Sequence, residues 1–209
     1  MLLSVLFESP IMFLVVMLGI IYALTIHEFS HAAAATALGD NTAKFSGRLT
    51  LNPLSHLDMF GTIMLLLAGF GWGRPVPVNV FNLKNKRWGE LIVALAGPVS
   101  NFASVILFIL VFKLAVVFLP ADNMMLTFLI YLIMINMVLG VFNLIPIPPL
   151  DGSKVLFSVL PSRFDNFKRQ LAVNGPWVLL FLLIADNFLG INIFGRIFSV
   201  FFKLAGVFL

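Results

Sequence analysis

Long apolar runs separated by short polar breaks dominate this chain. Residues 10–38 are almost continuously apolar and stop at Gly39-Asp40, and residues 91–119 and 125–146 form two further runs. Each exceeds the roughly 20 apolar residues that a helix needs to cross a bilayer, so three spanning helices are predicted. A fourth run, 59–71 (MFGTIMLLLAGFG), is apolar but short. At about 1.5 Å per residue it reaches about 20 Å, which reads as a re-entrant or partial helix.

The polarity changes period after the first run. In 44–58 (KFSGRLTLNPLSHLD), Phe45, Leu49 and Leu51 roughly alternate with polar or small residues. That pattern predicts a short strand or hairpin. Prolines keep 74–80 (RPVPVNV) extended, and the two pieces are expected to make a small β-ribbon. The C-terminal stretch 176–208 is interrupted at Asp186, Asn187 and Gly190. Beyond the break, Asn192, Arg196, Ser199 and Lys203 share one helical stripe, as in an amphipathic helix. The fold class expected is an all-α polytopic membrane protein. It is a helical bundle with a small β-ribbon and re-entrant segment after the first helix, and residues 1–209 form a single integral-membrane domain.

Composition agrees with that picture: 61% of residues are hydrophobic and 11% charged. A soluble domain is about 45–50% apolar and about 25% charged. The net charge of +4 is small and scattered over several loops, so it sets topology and does not build a nucleic-acid surface. KNKR at 84–87 and SRFDNFKR at 162–169 flank the second and third runs, while PADN at 120–123 between those runs carries only an acid. The positive-inside rule puts the basic loops in the cytoplasm. The histidines of the first run then lie toward the cytoplasmic side of a multi-pass protein of the cell membrane. With no cysteine in the chain, disulfides, thiolate metal sites and a cysteine nucleophile are excluded.

Within the first run stands HEFSH, residues 27–31. His27 and His31 are four residues apart, so both rings leave one helix face, as gripping a single metal ion requires. Glu28 sits about 100° round the helix, where it can approach a metal-held water without ligating. H-E-x-x-H on a helix is the zinc metalloprotease signature, and ionisable groups inside a membrane are functional by default. A catalytic zinc takes three protein ligands, and the candidates for the third are His56, Asp58 and Asp151. The first two belong to a polar turn that can be wet. Asp151 ends an apolar segment, NLIPIPPLDG, where a carboxylate is otherwise stranded. Two neutral imidazoles and one carboxylate leave the zinc centre at about +1, enough to acidify bound water.

HEFSH, GPVSN (97–101) and NLIPIPPLDG (143–152) together resemble the site-2 protease family of intramembrane zinc metalloproteases. GRLTLNPLSHLDMFGT and GRPVPVN are similar to its short members, which lack PDZ and CBS domains. The resemblance implies a three-helix catalytic core over 10–38, 91–119 and 125–151. It implies that His27, His31 and Asp151 are zinc ligands, that Glu28 is the general base, and that Asn101 and Asn143 are hydrogen-bonding residues of the catalytic site. It also implies a substrate, a membrane protein with a transmembrane helix. Two rival readings share the same residues: a divalent-metal transporter or channel, and a non-catalytic relative that binds membrane proteins.

Overall fold

The computed structural model describes residues 2–206. The described residues are mostly helical, and every regular element among them is a helix. A short α1 (Leu2–Glu8) leads into α2 (Pro10–Ala37), with Ser9 as N-cap and Pro10 in the first turn. Proline is favoured there because its missing N–H would be unpaired anyway. α2 ends before Gly39, whose φ of 105° only glycine adopts readily. α3 (Thr42–Phe45) and α4 (Met59–Ala68) follow. Then come α5 (Lys86–Phe118) and α6 (Met124–Asn143), which are capped by Asn85 and Asn123. α7 (Asp151–Val159), α8 (Asp165–Leu189) and α9 (Ile193–Gly206) complete the chain.

Among the described residues, three helices are long and apolar enough to cross a membrane: Pro10–Ala37, Trp88–Phe118 and Met124–Asn143. They pack against one another as a bundle, α5 carries α7, and α9 lies on α6. The lipid side of α5 is visible as a row of exposed apolar residues that includes Ile106, Leu110, Leu114 and Val117. Inside the bundle Val105, Ile133, Met137 and Val141 form a core on which the phenylalanines of α9 pack.

Several expectations change. α5 begins at Lys86 and runs unbroken through Gly97-Pro98. The third core segment, expected over 125–151, divides: α6 ends at Asn143, the proline-rich 144–150 is irregular, and Asp151 opens α7. α8 continues through Pro176. Asn192 precedes α9 with φ 57°, off the stripe assigned to it. The end of the C-terminal stretch, 207–208, lies outside the described residues. The short apolar run does form a partial helix: α4 has 10 residues, about 15 Å long.

The β-ribbon does not form. Among the described residues there is no strand, only an isolated bridge between Leu57 and Gly73. Part of the first expected strand is the helical α3, and Pro53–Ser55 is a 3-10 turn. In 74–80, Pro75 and Pro77 have no N–H to offer a ladder. Of the amides that remain, two are taken by side chains, Val76 by Glu28 and Asn79 by Asp40, and Arg74 donates to the His56 carbonyl. An extended strap, residues 74–79, therefore crosses the end of α2 without a strand partner.

Candidate metal centre

α2 presents His27 and His31 toward α5, where they meet Asn101 and Val93, and Glu28 toward Val76 of the strap; all three are buried. The irregular 144–150 returns the chain so that Asp151, in the first turn of α7, meets the two histidines. Gly152 permits that return: a Cβ there would stand 2.2 Å from the Leu144 carbonyl oxygen. His27 Nε2 and His31 Nε2 lie 3.0 Å apart, and Asp151 Oδ2 is 3.0 Å from the first and 2.9 Å from the second. Asp151 Oδ1 accepts from Lys154 Nζ at 2.9 Å.

The other ring nitrogens decide what these atoms can do. His31 Nδ1 is 2.7 Å from the Val93 carbonyl oxygen, which can only accept, so Nδ1 carries a proton. His27 Nδ1 is 2.7 Å from Asn101 Oδ1. That oxygen is assigned by its partners, because Asn101 Nδ2 donates to the Ala23 carbonyl and to Asn136 Oδ1. Asn136 in turn donates to the Leu132 carbonyl. Each neutral ring thus keeps an Nε2 lone pair, and both lone pairs converge on a carboxylate oxygen. Three electron-pair donors in one buried place repel one another unless a cation sits among them. Two imidazoles and a carboxylate are also a known zinc donor set, so the residues fit the ion. Among the described residues this is the single such group of three or more.

Space above the pair is kept open by Gly97. A Cβ at that position would be 2.5 Å from His31 Nε2 and 2.6 Å from His27 Nε2. The Lys154 ammonium, 2.9 Å from Asp151 Oδ1, favours the ionised form of Asp151 that a metal donor needs.

Comparison with known proteins agrees with this chemistry. The model of peptidase family M50 matches residues 116–184. Over 172 residues the chain is 45% identical to YwhC of Bacillus subtilis, named as a candidate zinc metalloprotease, covering 79% of this chain and 78% of that protein. It is 33% identical over 204 residues to Rip2 of Mycobacterium tuberculosis, named likewise, covering 93% of this chain and 75% of that one. The chain belongs to peptidase family M50, the site-2 protease family. No solved structure matches it.

As an M50 zinc metalloprotease the chain uses few of its polar residues at random. The two other candidates for a third ligand are engaged elsewhere. His56 is fully buried, not in a wet turn, with Nε2 2.8 Å from the Thr50 carbonyl oxygen. Asp58 caps α4, accepting from Gly61 N–H at 2.8 Å. Asn101 reaches the centre through His27, whereas the Asn143 amide donates to the Leu139 carbonyl at 3.0 Å. Sequence reasoning passed over Asn136, Asp40 and Arg48. Asn136 carried a readable signal, a lone amide amid an apolar run; it is 0% exposed. Asp40 is also 0% exposed. Burial raises its pKa, but hydrogen bonds from Thr42, Asn79 and Asn82 prevail and lower it.

Asp151→Ala removes one of the three converging donors and leaves two imidazoles. Zinc content of the purified protein is expected to drop, and affinity to fall by more than the roughly 10- to 100-fold cost of losing an outer hydrogen-bond partner. Metal analysis checks this; unchanged zinc would move the third-ligand role to another residue.

Proposed function

We propose that this chain is an intramembrane zinc metalloendopeptidase that hydrolyses a peptide bond in or near a transmembrane segment of a membrane-protein substrate. The observation that carries the reading is the convergence of His27 Nε2, His31 Nε2 and Asp151 Oδ2, buried among helices apolar enough to span a bilayer. Those three residues would hold the ion. Zinc supplies Lewis acidity, polarising a carbonyl and acidifying water.

The chain's own residues do the rest. Asn101 and the Val93 carbonyl hold the two imidazoles in the tautomer that points Nε2 inward. Glu28 takes a proton from the attacking water and hands it to the leaving amine, general base and then general acid. Asn143 keeps its oxygen and one N–H uncommitted among the described residues, and it stands next to Leu144, whose carbonyl abuts Gly152. In this reading it holds the unwound substrate backbone. A helical substrate must unwind, because its own carbonyls and amides are bonded to each other until then.

The partners in this reading are a single- or multi-span substrate and the lipid bilayer, with no nucleic acid. Residues 1–209 act as one integral-membrane unit of the cell membrane. In this reading its site faces the cytoplasmic side, to which the positive-inside rule assigns the basic loops 84–87 and 162–169. A metal transporter needs further ligands along a path, and the described residues hold no second cluster.

The test uses the full chain in vesicles with a single-span substrate and mass spectrometry of the products. A cut within or beside the apolar segment is expected. It should vanish with a zinc chelator and return with added zinc. Zinc flux across sealed vesicles without any cut would establish the transporter instead.

A further inference from the structure

Among the described residues, one hydrogen bond reaches the Glu28 carboxylate, from Val76 N–H to Oε2 at 3.0 Å. The donor belongs to the strap of residues 74–79, far from Glu28 in sequence. Pro75 and Pro77 on either side of Val76 carry no N–H, so neither neighbour can take over as the donor to Glu28. Its ends are tied. Asn79 N–H donates to buried Asp40 Oδ2 at 2.7 Å. Arg74 N–H donates to the His56 carbonyl at 2.8 Å. The Arg74 carbonyl accepts from Arg48 Nη2.

Arg48 is the costly part of this arrangement. It is 6% exposed, its Nε has no hydrogen-bond partner, and no carboxylate among the described residues pairs with it. Burying a guanidinium with so few acceptors is unfavourable. Burial lowers its pKa, against the opposing effect of the Glu28 negative charge.

We propose that Arg48 is a positioning residue for peptide hydrolysis. By fixing the Arg74 carbonyl it sets the register at which Val76 N–H grips Glu28 Oε2, which leaves Oε1 as the oxygen that exchanges the proton. This rests on Glu28 being the general base. A free glutamate samples several rotamers, and misplacing a reacting group by about 1 Å costs up to about 100-fold.

The experiment compares Arg48→Ala, Arg48→Lys, Val76→Pro, the Arg48→Ala/Val76→Pro double variant and Glu28→Gln in the vesicle assay. Zinc content is measured on each. Val76→Pro deletes the N–H from a segment already extended, and it carries the test if Arg48→Ala does not accumulate. Both single variants should keep zinc and KM while kcat falls about 10- to 100-fold. Lysine, which keeps the charge and one donor, should recover most of the loss. The double variant should lose no more than the worse single one, because both act through one bond. Hydrogen exchange of the zinc-free protein supplies a readout independent of turnover: the Val76 amide, protected in the wild type, should exchange at least about 10-fold faster in Arg48→Ala.

Losses that multiply, a change confined to KM, zinc loss in step with kcat, or an unaltered Val76 amide each overturn the positioning role. If Glu28→Gln is dead while the Arg48 and Val76 variants match wild type, only this role falls. If Glu28→Gln turns over normally, the base assignment falls and the positioning role with it.

Discussion

Glu28→Gln will retain zinc and lose cleavage. The substitution keeps the length and shape of the side chain, and its carbonyl oxygen can still accept from Val76 N–H, which now binds Oε2 at 3.0 Å. None of the three converging atoms belongs to Glu28, so metal content should match wild type. What disappears is a group able to accept a proton from water and return it to the departing amine. General acid–base catalysis contributes about 100- to 10,000-fold, and the loss should appear in kcat. Single-turnover cleavage of a membrane-embedded substrate, paired with metal analysis of the same preparation, measures both quantities. Turnover within a few-fold of wild type would transfer the proton-accepting role to another group.

The metal centre was legible from the sequence because each of its parts leaves a local trace. His27 and His31 are one helical turn apart, and any helix puts them on one face. Asp151 is conspicuous as an acid closing an apolar segment, and the prolines before it announce the bend that turns it inward. The three spans could be read from run length alone, since a bilayer imposes length directly. The strap was opaque for the opposite reason. Val76, Asn79 and Arg74 are extended in the sequence reading and in the structure, but their partners are Glu28, Asp40 and Arg48. No period or motif encodes a pairing between a backbone amide and a side chain tens of residues earlier. The alternation in 44–58 is real, yet alternation predicts a strand only where a neighbour can complete the ladder. Pro75 and Pro77 deny it that neighbour. His56 misled similarly: a histidine in a polar turn reads as wet, but burial depends on what packs over it, here Arg74, whose N–H donates to the His56 carbonyl, with Gly73 close beside that oxygen. Asn101 was found through the resemblance alone, and its partner Asn136 shows why. The amide relay from Asn136 to Asn101 to His27 crosses three helices, and only the assembled bundle brings it together.

Gly97 is the small residue where one added methyl group would meet the converging histidine nitrogens themselves. Gly97→Ala adds one methyl group at 2.5 Å from His31 Nε2 and 2.6 Å from His27 Nε2. Both contacts are inside van der Waals distance, and both fall on the atoms that converge with Asp151. Histidine tips elsewhere could swing aside at little cost. Here His27 Nδ1 is held by Asn101 and His31 Nδ1 by the Val93 carbonyl, each at 2.7 Å. Turning either ring breaks a buried hydrogen bond, which costs about 1–3 kcal/mol, and also points its lone pair away from the ion. Shifting α5 outward instead strains a packed bundle by a similar amount. Either way zinc binding weakens, by about 100-fold for about 2.7 kcal/mol, and peptide cleavage falls in parallel. The protein itself should still accumulate in the membrane, because the three atoms nearest the added methyl are side-chain ring atoms and not backbone. Gly206→Ala, where a Cβ meets nothing within 4 Å, is the matched control and should be indistinguishable from wild type. Zinc titration of both variants decides the matter. Wild-type affinity in Gly97→Ala would mean that the open space over the histidines is incidental, and that the ion is held by atoms a methyl group does not reach.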